Sequence, residues 1–216
     1  MYKGLNERPV KNKAQTMRKL INGVAEVFRT DGYAGLGVNK VAKIAGVNKK
    51  LIYRYFRSFN NLVEAYVVET DYWMQFAENM RQLTVPKDLE DTKRLISNVL
   101  KNQFLYFHRD KEMQELILWE LSSDSELMRS IHRTREAMGQ QFLELTDPYL
   151  NNADINFRAV AALIVGGIYY TILHTRYNGG MFSDLDLSTD SGREDILNAI
   201  DQVIDMVFDR SLSENN

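Results

Sequence analysis

Apolar residues recur along most of this chain at three- and four-residue intervals, the spacing of one face of a helix. Met17, Leu20, Ile21, Val24, Ala25 and Phe28 make the first stripe, and Asp31-Gly32 offers its stop. Two short helical pieces follow, over about 38–45 and 49–56, separated by Gly46-Val47. Ser58 is a natural N-cap for a long fourth helix running to about Leu83, with Leu62, Val63, Tyr66, Val67 and Thr70 along it, and Pro86 breaks it. Asp88 or a neighbour restarts a helix to about Arg109, and Lys111–Leu121 reads as another. A long helix is expected from Asp124 to about Thr146. Asp154 caps a further one to about Asn178, and a last one covers about 193–211. Only 179–192 reads as a long loop. The pattern predicts an all-α fold of about nine helices, with no internal repeat.

The most apolar run, Ala159 to Leu173, is 15 residues long, short of the ~20 that cross a bilayer. A buried helix is expected there, with no membrane partner. The polar N-terminus has no apolar segment of the signal-peptide kind, and the chain has no cysteine. Both point to the cytoplasm, and the absence of cysteine excludes disulfides and thiolate metal sites. Net charge is only −2, but its distribution is uneven. Residues 1–60 hold 13 Lys and Arg against three acids (Glu7, Glu26, Asp31), whereas the remaining 156 hold 14 against 26. A basic first quarter on an acidic body suits a polyanion-binding head. A solvated basic face without a partner would give the same charge count.

The stretch VAKIAGVNKKLIYRYF, Val41 to Phe56, resolves this ambiguity. It reads as helix, tight turn, helix. Ala42 is small where the two helices cross, and Gly46 can take the left-handed conformation of a sharp turn. Ile52, with Val41, Val47 and Phe56, packs the second helix back on the first, and Asn48 caps it. Lys49, Lys50, Tyr53 and Arg54 are then left outside, where a short helix in the major groove reaches phosphates and base edges.

The whole of residues 11–70 resembles the DNA-binding head of the TetR family of transcriptional regulators. The matching residues are Gly32, Tyr33, Val41, Ala42, Ala45, Gly46, Val47, Ile52, Tyr53, Tyr55, Phe56, Ser58 and Leu62. The resemblance implies a helix-turn-helix DNA-binding domain over 1–58 and a ligand-binding and dimerisation domain over 59–216. It implies double-stranded DNA as partner, contacted through Asn39, Lys40, Asn48, Lys49, Lys50, Leu51, Tyr53, Arg54 and Tyr55. It also implies a homodimeric repressor, joined through the last two long helices and released from a palindromic operator by a small-molecule effector.

Departures from the family pattern stand at Leu36 and Gly37, where Ser or Thr is usual, at Lys50 and Leu51, and at Phe59. There the common phosphate-contacting lysine is missing. The body carries aromatics that would line an effector pocket or simply fill a core: Trp73, Phe76, Phe104, Phe107, His108, Trp119, Phe142, Tyr170 and His174, with Gln103 and Gln141 as further polar handles. The three histidines, His108, His132 and His174, are too scattered for a metal site, and no cofactor fingerprint or catalytic motif is present. Rival readings are a DNA-binding module without effector and a helical enzyme, which would need an acid–base constellation.

Overall fold

The structure is a computed structural model that describes residues 8–73, 86–150 and 155–213. These hold ten α-helices and no strand. In chain order they are α1 (Arg8–Asp31), α2 (Val38–Ile44), α3 (Lys50–Phe56), α4 (Phe59–Thr70), α5 (Leu89–Arg109), α6 (Lys111–Ser122), α7 (Glu126–Leu143), α8 (Asp147–Leu150), α9 (Phe157–Asn178) and α10 (Asp190–Ser213). A single 3-10 turn, Tyr33–Gly35, links α1 to α2. Several ends lie where side-chain chemistry predicts. Ser58 Oγ accepts from Asn61 N (3.0 Å), and Asp88 Oδ1 accepts from Asp91 N (2.8 Å).

The expected fourth helix through Leu83 stops short. α4 ends at Thr70, and Asp71 is extended and completely buried. Its carboxylate accepts from Trp73 N at 2.9 Å, capping the turn that follows. Unbroken apolar periodicity conceals this stop. The remainder of that prediction, to Leu83, lies outside the described residues. The cap expected at Asp154 also lies outside them; Asn156 caps α9 instead, accepting from Ala159 N.

The chain forms two compact units. The first holds the described residues up to Trp73 together with 115–133; the second holds 86–114, 134–150 and 155–213. In the first, α1 lies against α2, α3 and α4, and buries Leu20, Val24, Val27 and Phe28. Gly23 is the point of closest approach to α2. A Cβ there would sit 3.0 Å from Val41 O and 3.1 Å from Ala45 Cβ. Residues 115–133 join this unit through Trp119, whose ring stacks on Tyr33 (5.6 Å, 4°) and tilts against Phe28 (6.2 Å).

In the second unit α5 is central, packed on α9 and α10. Its buried stripe runs Ile96, Leu100, Phe104, Phe107, and α10 answers with Ile200, Ile204 and Phe208. Beside this apolar seam runs a polar one. Lys93 Nζ reaches Asp205 (2.9 Å) and Asp209 (3.4 Å), while Lys101 Nζ and the Ser97 hydroxyl both meet Asp201. Burial pushes the Asp201 carboxyl up, but the bonds from Lys101 and Ser97 outweigh it and hold the group below the usual carboxylate value.

Candidate nucleic-acid interface

The helix-turn-helix forms as its sequence requires. α2 closes with paired backbone bonds, Val47 N to Ala42 O (3.1 Å) and Gly46 N to Lys43 O (3.2 Å). This arrangement needs a left-handed residue, and Gly46 supplies it with φ +64°. Asn48 Oδ1 accepts from Lys50 N at 2.9 Å, so the first turn of α3 is capped from the residue that sequence singles out. Val41 and Ile52 are fully buried, Ala42 and Phe56 nearly so. The inner face of the hairpin is therefore spent on packing.

The outer face is cationic. Asn39, Lys40, Lys43, Asn48, Lys49, Lys50, Tyr53, Arg54 and Arg57 are exposed, and Leu51 and Tyr55 are half-buried. Lys49 Nζ donates to Asn39 Oδ1 (3.0 Å), tying α3 to α2. The Arg54 guanidinium and Lys13 Nζ lie 5.8 and 6.0 Å from the Tyr55 ring centre, so this tyrosine is sheathed by cations while Tyr53 projects freely. Lys40 pairs with Asp31 at 2.9 Å, and bonds from Thr30 and Lys40 hold that carboxyl below its ordinary value. By contrast Lys43, Lys49, Lys50, Arg54 and Arg57 have no carboxylate partner among the described residues. Cations crowded onto one face without acids to neutralise them are arranged for an external anion.

The aromatic residues expected to line an effector pocket are divided between the units. Trp73 and Trp119 belong to the first, and Phe104, Phe107, His108, Phe142, Tyr170 and His174 to the second. Phe76 lies outside the described residues. Phe104, Phe107 and Phe142 are buried, whereas Tyr170 is 58% exposed. Tyr170, His174 and Phe182 form one ring cluster, with centroids 5.0–5.6 Å apart. His108 lies on an open cleft of about 390 Å³ with Lys111, Gln114, Arg176, Asp186 and Ser188. Its Nε2 faces Leu187 O at 3.1 Å, and burial, with Arg193 nearby, lowers its pKa. Gln103 is 1% exposed, and neither polar atom of its amide has a hydrogen-bond partner among the described residues; His174 Nδ1 is likewise buried and unpartnered among them. Among the described residues no cluster of histidine and carboxylate side chains is placed to hold a metal ion.

Residues 20–66, which run from the buried face of α1 through both short helices into α4, match the family model of bacterial regulatory proteins, tetR family. The matched segment is a tetR-family domain. The hairpin of α2 and α3, with the outward face described above, lies inside this match. Solved structures extend the likeness in fold over most of the chain. A TetR-family regulator from Marinobacter aquaeolei superposes with TM-score 0.60 at 16% identity, covering 89% of this chain and 96% of that one. FadR from Bacillus subtilis, in complex with stearoyl-CoA, gives 0.58 at 19%, covering 87% and 96%. NalD, the secondary repressor of the MexAB-OprM multidrug efflux pump in Pseudomonas aeruginosa, gives 0.57 at 17%, covering 88% and 96%. At such identities the likeness establishes the fold. Sequence comparison with curated proteins finds no match.

Where this TetR head departs from the common pattern, the structure accommodates the change. Gly37 precedes α2 in extended conformation and makes no side-chain cap, as its lack of a hydroxyl dictates. Lys50 is exposed beside Lys49 and adds charge where the pattern has a small residue. Phe59 is half-buried, so the first turn of α4 holds Phe59, Asn60 and Asn61 and no cation. Sequence reading missed Gly23, whose signal was a glycine on the buried stripe of α1, three residues past Leu20.

Proposed function

We propose that the protein is a homodimeric, cytoplasmic repressor that occupies a two-fold symmetric operator and leaves it when a small, partly apolar ligand enters the body. Residues 1–58 act as the DNA-binding part and 59–216 as the ligand-binding and dimerisation part. Asn39, Lys40, Asn48, Lys49, Lys50, Leu51, Tyr53, Arg54 and Tyr55 are the DNA contacts. The observation that carries this reading is the outer face of α3, where cations stand without acidic partners among the described residues on a helix of the size that enters a major groove.

A single head of this kind reads few base pairs, so a pair is needed. The surface of α9 favours a second copy as the partner. Leu163 is 77% exposed, Tyr177 55%, and Met206 on α10 63%. A Cβ added at Gly166 or Gly167 would meet nothing within 4 Å, which leaves room for another helix to approach. By length and composition alone α9 could also cross a membrane, since its helix outruns the 15-residue apolar stretch. A subunit interface explains the same exposed apolar side chains without a bilayer. An effector is supported by Gln103: a buried amide without a partner is costly unless a guest supplies its hydrogen bonds. The FadR neighbour holds stearoyl-CoA, a ligand of mixed apolar and polar character.

Selection of genomic DNA fragments by the purified protein tests the reading. Enrichment of a two-fold symmetric site is expected, and enrichment of asymmetric or unrelated fragments would overturn the operator model. Gly166→Leu tests the interface in sedimentation. The Cβ of the new side chain meets nothing within 4 Å in one subunit, so the substitution should shift the protein to monomers, and an unchanged dimer would move the interface elsewhere.

A further inference from the structure

The residue directly after the recognition helix is held in an unfavourable backbone conformation. Arg57 has φ +70° and ψ −41°, a region that side-chain-bearing residues avoid and glycine tolerates. The turn itself has a clear purpose. Arg57 N donates to Tyr53 O at 3.0 Å, ending α3 and turning the chain towards Ser58, the cap of α4. A glycine would make that same backbone bond without strain. The arginine therefore contributes nothing to the turn that glycine would not do better.

The side chain is not used internally either. It is exposed, and its guanidinium has no hydrogen-bond or ion-pair partner among the described residues. Arg18 and Arg29 of the same unit are bonded to Glu69 and Glu26. Arg57 also stands two residues before Phe59, in a first turn of α4 that has no cation of its own. The free planar fork, the proximity to α3 and the strain retained around it converge on one use.

We propose that Arg57 binds a DNA backbone phosphate flanking the groove occupied by α3, and that its strained conformation is kept because it aims the guanidinium there. Arginine suits this task because its fixed fork matches two phosphate oxygens at once. The contact is with the sugar–phosphate backbone and carries no sequence information, so it sets how firmly and in what register α3 is seated.

The test compares the full-length protein with Arg57→Gly and Arg57→Lys, using fluorescein-labelled random-sequence duplexes of roughly 30 base pairs at low salt. Arg57→Gly is expected to melt at a higher temperature than the unmodified protein and yet bind DNA about three- to tenfold more weakly. Its slope of log affinity against log salt should fall by about one per head. Arg57→Lys should keep the slope and lack the gain in melting temperature. A glycine variant with unchanged affinity and slope would overturn the phosphate contact. A glycine variant that melts lower would overturn the argument from strain. If the unmodified protein itself bound no duplex, the DNA interface as a whole would fall, an outcome separate from either.

Discussion

The head and the body of this molecule use charge in opposite ways. Around α3, Lys43, Lys49, Lys50, Arg54 and Arg57 face outward with no carboxylate among the described residues to meet them. Between α5 and α10, Lys93 and Lys101 are each matched to aspartates of the facing helix. The first arrangement leaves repulsion to be relieved by something outside the protein; the second relieves it internally. Net charge, at −2, hides both. What distinguishes a binding surface from a structural seam is how the cations are partnered, and composition alone does not record that.

Three experiments bear on this contrast, the first with the largest effect. Replacing Lys49, Lys50 and Arg54 together by alanine should weaken DNA binding by about a thousandfold at moderate salt. Helix content and melting temperature should stay as they are, because none of the three supports the core. Retained affinity would mean that these cations are ordinary solvated residues. Next, Gly23→Val forces a branched side chain against Val41 O and Ala45 Cβ. It should cost about 2 kcal/mol or more in chemical denaturation, since the backbone of α2 has to yield. A neutral result would mean that α1 and α2 are less closely applied than the contact implies.

The smallest effect concerns the body. Asp201→Asn should cost about 0.5–1 kcal/mol near neutral pH, modest because the pair is partly open to solvent. Its sign with pH is fixed. A carboxyl held below 3.8 in the folded protein stabilises it above that value and loses the effect as pH falls through the lowered one. The difference between the two proteins should therefore shrink as the solution is acidified below 3.8, and a difference that widened would exclude Asp201 as a paired carboxylate.

The head was legible in the sequence because its turns are chemically specified. Gly46 has to take a positive φ, Asn48 and Ser58 have to cap, and Ile52 has to face inward, so spacing alone located α2, the turn and α3. The body was legible only as helices. Periodicity identifies the apolar face of a helix but not what that face meets. Trp119 illustrates this: it sits among candidate pocket residues in the chain, yet its ring lies on Tyr33 and Phe28 of the head's compact unit. Asp71 illustrates a different failure. The run around it keeps helical spacing, and nothing in the pattern marks its side chain as the acceptor that caps the turn after α4. Gln103 is legible as a polar handle from its type alone, and its burial without a partner among the described residues gives it a physical basis.

The aspartates of α10 recur every four residues, and so do Lys93, Ser97 and Lys101 opposite them. Such a pattern works like a toothed rack. The two helices run antiparallel, and a slip of one tooth, about 6 Å along the axis, would mesh again and set Lys101 against Asp205. The apolar residues beside it, Ile96, Leu100 and Phe104 against Ile200, Ile204 and Phe208, share the same four-residue pitch. Neither seam selects a single setting by itself. The setting has to be fixed from outside the rack, and the Phe157 ring standing edge-on to Phe208 at 6.0 Å is a pawl in the right place.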